Sequence, residues 1–235
     1  MNRSFAAALI AVLAPVCCIA QQTSSPLPPN YKTILANSTF KIIRVYYGPY
    51  EKIPLHDHPD TPTVYIYLND SGPVRITHEE KDGTQSSLVR PPTKTGAFRV
   101  SPGQLERHSI ENLSDLPSDF LRVELLNLRL GDHALEFRGP APKDLAHNLA
   151  ATEFSSPRLS IARAICVDKT PCPTPASPSA SVVIALSGTI ITVNGQKTTL
   201  ALGDVLAIPP LQSFQISSAT NDPAHILQVF VHPQK

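Results

Sequence analysis

His56-Asp57-His58-Pro59 and, further along the chain, His108-Ser109-Ile110-Glu111-Asn112 are the stretches whose reading decides the fold. On an extended strand, residues i and i+2 turn to the same face, so the His56 and His58 imidazoles can reach one metal ion. His108, from a neighbouring strand, would close the set and leave coordination positions open, as catalytic rather than structural sites do. The expected cofactor is a divalent metal ion, one of Fe, Zn, Mn, Ni or Cu. An HxH triplet also occurs in exposed strands that bind nothing, so the surrounding sequence has to decide.

Those surroundings read as strands. Length, at 235 residues, allows one large or two small domains with a sizeable core. The 24 Pro, with 8 Phe, 6 Tyr and no Trp, fit many short strands and turns. Strands are expected over Phe40–Tyr47, Val64–Leu68, Val74–Thr77, Gly96–Val100 and Phe120–Leu128, with a hairpin cue at Lys81-Asp82-Gly83. Lys143–Ala151 is the one helix-permissive stretch. A net charge of +1 gives no electrostatic reason to expect nucleic acid or an anionic membrane as partner.

The first twenty residues read as a secretory signal peptide. Arg3 supplies the charge, Phe5 to Ala20 is almost wholly apolar, and cleavage is expected after Ala20. Pro15 interrupts the run, which falls short of the roughly 20 apolar residues of a spanning helix. Residues 21–30 form a flexible lead-in. Localisation is therefore expected to be secreted or periplasmic, with no membrane contact after cleavage. Cys17 and Cys18 leave with the leader, and an oxidising compartment favours a Cys166–Cys172 disulfide over two buried thiols.

The HxH block resembles the cupin superfamily. Gly48, His56, His58 and Gly72 follow its first motif, and Gly96, Pro102, His108 and Asn112 follow its second. Two departures stand out. Pro102 to His108 is one residue longer than the pattern, with Gly103 directly after the proline, and Thr63 stands where cupins usually carry a Glu ligand. Residues 31–131 also look like small single-cupin proteins that carry HxHP without the Glu. The resemblance implies an all-β chain of cupin-like jelly-roll barrels with His56, His58 and His108 as metal ligands.

The chain then repeats itself. Val64–Leu68 leading to Gly72 is matched by Val182–Leu186 leading to Gly188; Gly96 with Pro102 by Gly203 with Pro209; and Ile110 after His108 by Ile216 after Phe214. An ordered repeat of this kind means two copies of one unit. Residues 31–131 are then a first barrel, 132–150 a connector, and 151–235 a second barrel. In the second copy the HxH positions fall on Pro173 and Pro175, and the third His on Phe214, so it carries no ligands. His225 and His232 are expected to be solvated or at an edge, and His133 and His147 have no ligand-like spacing.

Thr63, Tyr65 and Tyr67 share strand parity and should face the first barrel's interior as substrate-pocket candidates. Glu106 shares parity with His108 but is expected outside the ligand set, and His78 is expected in a solvated charge cluster. Three neutral imidazoles leave a divalent ion its full charge, which favours an anionic small-molecule ligand. The resemblance implies a metal-dependent enzyme, a three-His oxygenase or isomerase, and the leader adds the expectation that it is exported. The alternative is a non-catalytic ligand-binding or structural bicupin, in either case a monomer or a homodimer.

Overall fold

A computed structural model describes residues 26–131, 135–140, 145–167 and 170–233. The expected leader over residues 1–20, the start of the expected lead-in (21–25) and His133 lie outside the described residues. Among the described residues every regular element is a β-strand.

The first half contributes β1 (Tyr31–Ala36), β2 (Phe40–Tyr47), β3 (Lys52–His58), β4 (Thr63–Tyr67), β5 (Val74–Glu79), β6 (Gln85–Arg90), β7 (Phe98–Ser101), β8 (Glu106–Asn112), β9 (Ser118–Leu125) and β10 (Leu135–Arg138). A six-stranded sheet of order β1-β2-β9-β4-β7-β10 faces a four-stranded sheet of order β3-β8-β5-β6. The second half contributes β11 (Leu149–Ser155), β12 (Leu159–Cys166), β13 (Cys172–Thr174), β14 (Ala180–Ala185), β15 (Thr189–Val193), β16 (Gln196–Leu200), β17 (Val205–Ile208), β18 (Phe214–Ser218) and β19 (Ala224–Val231). Its sheets run β11-β12-β19-β14-β17 and β13-β18-β15-β16, the same order strand for strand. Only β10 has no counterpart. The Cys166–Cys172 disulfide is formed, with Cα atoms 5.9 Å apart, and ties the end of β12 to the start of β13.

Two expectations need correcting. The helix-permissive stretch becomes strand from Leu149, because β11 finds a full ladder on β12, with Leu149 opposite Ile165, and tertiary pairing overrides a weak propensity. Residues 135–138, placed by the sequence in a connector, form β10 on the edge of β7.

Strand alternation explains the three cores. On β4, Tyr65 and Tyr67 pack inside the first barrel, while Val64 and Ile66, with Leu68 just beyond, point away from it. On β14, Val183 and Ala185 pack inside the second barrel, while Val182 and Ile184, with Leu186, point away. The outward sets meet. Val64, Ile66, Leu121 and Val123 share one buried cluster with Val182, Ile184, Leu227 and Val229. Strands covered on both faces read as unbroken apolar runs, as Val182 to Leu186 does.

Two glycines let the barrels approach. Gly96 (φ 78°) offers its carbonyl to Arg163 Nη2 at 2.7 Å, and a Cβ there would lie 3.3 Å from Arg163 Nη1. At Gly203 (φ 84°) a Cβ would lie 2.7 Å from Leu68 Cδ1 of the first barrel. Both sites need the left-handed backbone and the missing side chain. Arg163 is fully buried; Glu153 accepts from its Nε at 2.8 Å and from its Nη2 at 3.0 Å.

His225, expected at a solvated edge, instead accepts from Arg163 Nη1 through Nε2 at 2.8 Å. A guanidinium only donates, so this ring is neutral with its proton on Nδ1. Burial, then the Arg163 charge, lowers its pKa from 6.5 to about 3. Between those values the unfolded chain binds a proton that the folded chain does not, so stability falls as pH drops through the window. This group should contribute a slope of up to about 1.4 kcal/mol per pH unit. Urea denaturation at pH 7.5 and 5 should show a shallower pH dependence for His225→Gln than for wild type; equal slopes would contradict the buried neutral ring.

Candidate metal centre

β3 and β8 pair antiparallel, and their register sets His56 directly opposite His108. His58 follows on the same face of β3. All three rings are buried, at 1%, 1% and 5% exposure, and one ligand nitrogen from each lies within 4.8 Å of the others. A register shift between Ile53 and His56 marks a bulge in β3 that turns the histidines inward.

The same bulge corrects the reading of the second barrel. β13 runs unbroken, with Cys172 opposite Ile216 and Thr174 opposite Phe214, so the position matching His56 is Thr174, not Pro173. The HxH pair falls on Thr174 and Ala176. Neither carries an imidazole.

Hydrogen bonds fix the state of His56. Its Nδ1–H donates to the Pro54 carbonyl at 2.8 Å, so Nε2 carries the lone pair and accepts from Tyr31 Oη at 2.9 Å. Tyr31 Oη in turn lies 2.7 Å from Tyr47 Oη, and burial raises both phenol pKa values. His58 and His108 differ: among the described residues, neither nitrogen of either ring has a hydrogen-bond partner. Burial lowers all three histidine pKa values, that of His108 to about 3, with Arg122 adding to the effect at His58. Buried neutral imidazoles with free lone pairs are the form that binds a divalent cation. The donor set fits such an ion.

The pocket candidates divide. Tyr65 and Tyr67 line a cavity of about 160 Å³ beside the histidines. Thr63 is buried with them, but its hydroxyl donates to the Thr61 carbonyl at 2.9 Å, and across the ladder it faces Glu124 of β9. Glu124, 1% exposed, therefore brings a carboxylate into the barrel opposite the threonine. Glu106 lies closer than the sequence implied, with Oε2 3.7 Å from His108 Nδ1. His78, expected in a solvated cluster, faces His108 across β5 and β8 with ring centroids 5.6 Å apart. His147 is exposed.

Three arginines were missed. Arg122 is buried, with Nη1 3.8 Å from Glu106 Oε2 and Nε 3.7 Å from Glu124 Oε1. Burial opposes its charge, but Tyr65, Glu106 and Glu124 outweigh that and hold its pKa above the usual value. Arg99 stacks over the Tyr65 ring at 4.0 Å and Arg122 lies 5.1 Å from the same ring, while Arg90 lies 5.2 Å from Tyr67. The alternation Phe120-Leu121-Arg122-Val123-Glu124-Leu125 was legible, but alternation ordinarily assigns the polar face to solvent.

No protein-family model and no curated protein matches the sequence. Solved structures do. An oxalate decarboxylase of Bacillus subtilis is 11% identical, with a TM-score of 0.57 over 84% of this chain and 70% of its own. A salicylate 1,2-dioxygenase of Pseudaminobacter salicylatoxidans is 12% identical, with a TM-score of 0.59 over 85% of this chain and 75% of its own. The fold is a cupin fold. At these identities the likeness extends to the fold alone, and the cupin barrel places His56, His58 and His108 together at its interior.

If the three histidines hold one ion together, removing any one should weaken its binding. His56→Ala, His58→Ala and His108→Ala should each weaken metal binding by at least about 1.4 kcal/mol, a factor of ten, with the β-sheet spectrum kept. Tyr31→Phe should strengthen it, because the Tyr31 hydroxyl competes for the His56 lone pair. Calorimetric titration with Mn(II) or Zn(II) reads both effects; unchanged affinity in a His→Ala variant would remove that residue from the set.

Proposed function

We propose that the first barrel holds a divalent metal ion on His56, His58 and His108 and acts on a small anionic organic molecule bound beside it. One observation carries this reading. Among the described residues, both nitrogens of His58 and His108 and the Nε donors of Arg99 and Arg122 are buried without hydrogen-bond partners, and His108, Arg99 and Arg122 line one small cavity. An orphaned buried polar group costs about 1–3 kcal/mol. A cation would take one nitrogen of each imidazole, and an anion would meet the guanidinium donors.

When bound, the ion would supply a positive charge and open coordination positions for oxygen ligands. The chain's own residues do the rest. Arg90, Arg99 and Arg122 make the cavity cationic, and Glu106 and Glu124 offset part of that charge. Tyr65 and Tyr67 form the wall that holds the arginines in place. A volume of about 160 Å³ suits a small carboxylic acid and excludes a polymer. Two structural neighbours are named for oxalate and salicylate, both small carboxylates, and manganese centres are named for the first, which supports the class of ligand and of metal. The leader sequence and the disulfide support export to an oxidising compartment as part of the same proposal.

With metal-loaded protein, oxalate and salicylate should raise the Tm, and their neutral amides should not. Arg122→Gln and Arg99→Gln should each weaken carboxylate binding by at least about tenfold while metal content stays at the wild-type level. Carboxylate binding that is equally strong in metal-free protein would contradict the reading. Consumption of the carboxylate by wild type and not by His58→Ala assigns catalysis, and quantitative recovery assigns a binding module.

A further inference from the structure

Among the described residues the second barrel brings no metal-ligand group together, yet it is not filled. Its interior opens into a cavity of about 550 Å³, against about 160 Å³ in the first barrel. Matching ladders show why. Tyr31 opposite Val45 in the first barrel corresponds to Ala150 opposite Ala164 in the second. Counting along the same strands, Ile43 corresponds to Ala162 and Tyr47 to Cys166. On β14 and β19, Val183 and Gln228 pair where β4 and β9 pair Tyr65 with Arg122. At each of these positions a bulky inward side chain has given way to a smaller one on an equivalent backbone. A core selected for packing alone would close such a space, because unfilled volume costs stability.

The lining also states what fits. Among the described residues no carboxylate lines the cavity. Arg163 contributes to the wall, but its guanidinium is turned into the seam between the barrels and bonded to Glu153, His225 and the Gly96 carbonyl. Burial lowers the His232 pKa, and its Nδ1 lies 2.7 Å from Ser179 Oγ. Ala162, Ala164, Ile216, Ile226 and Phe230 make the surface chiefly apolar. Thr152, Ser160, Thr174 and Ser177 add hydroxyls to the wall, and Gln228 is its buried amide: 5% exposed, it donates Nε2 to Ser181 Oγ at 2.9 Å, and among the described residues nothing donates to its Oε1.

We propose that the second barrel is a separate binding site for a neutral, largely apolar small molecule with a hydrogen-bond donor for Gln228 Oε1. Such pockets, apolar with few polar groups and of this volume, are the usual form of small-molecule sites. The site is independent of the metal centre, and the two barrels thus select opposite ligands: a small anion in the first and a larger uncharged molecule in the second.

The test uses full-length protein and N-phenyl-1-naphthylamine, a neutral fluorescent aromatic amine with one N–H donor, beside 1-naphthoate as its anionic counterpart. The amine should bind saturably at one site per chain, and naphthoate should not compete for that site. Ala162→Phe fills the cavity and should weaken amine binding by at least about tenfold. Ala150→Tyr, on the exposed edge strand where a larger side chain is tolerated, restores the first barrel's residue and should do the same. His58→Ala should leave amine binding unchanged. The proposal is overturned if the amine does not saturate, if both folded small-to-large variants bind it as wild type does, or if His58→Ala abolishes binding. It is also overturned if the wild type is a dimer that Ala150→Tyr dissociates, since a second copy of the chain would then cover the opening.

Discussion

The structure depends on one seam, the face-to-face burial of the two larger sheets. β4, β9, β14 and β19 each turn one set of alternate side chains into a barrel and the other set into the apolar layer between the barrels. This layer fixes where the inward residues point. Tyr65 and Arg122 of the metal barrel sit on strands whose reverse faces carry Val64, Ile66, Leu121 and Val123, all locked against the second barrel. A site that must hold its groups to a fraction of an ångström is thereby built on rigid, doubly covered strands. The seam also tolerates its one fully buried guanidinium because Glu153, His225 and the Gly96 carbonyl meet it from both barrels.

From that shared frame the two interiors have diverged. One is narrow, aromatic and cationic around three imidazoles. The other is wide and chiefly apolar, with no carboxylate among its described lining residues. Strand order is the same in both but for β10, so much of the difference lies in the inward side chains, and function follows the side chains of each site more than the fold.

Much of this was legible in the sequence, for identifiable reasons. His56 and His58 obey the two-residue strand period, and the Gly96–Pro102 and Gly203–Pro209 spacings mark corresponding turns, so the barrels, their repeat and the three histidines could be read directly. The cysteine pair followed from compartment and proximity. What stayed hidden depended on pairing between distant strands. Arg90, Arg99 and Arg122 come from β6, β7 and the middle of β9, and no local pattern says they converge. The polar face of β9 looked like a solvent face because nothing local shows that the opposite face is covered. The bulge before His56 shifted the second barrel's match by one residue, from Pro173 and Pro175 to Thr174 and Ala176. His225 looked like an edge residue because its partner, Arg163, lies on another strand.

The central claim is that one chain carries two cupin barrels of which only the first is a metal centre. Elemental analysis of untagged protein loaded with Mn(II), combined with anomalous diffraction from its crystals, tests this directly. The account predicts one ion per chain, located between the rings of His56, His58 and His108, and no peak near Thr174 or Phe214. Two ions per chain, or a single ion bound away from the three histidines, would contradict it.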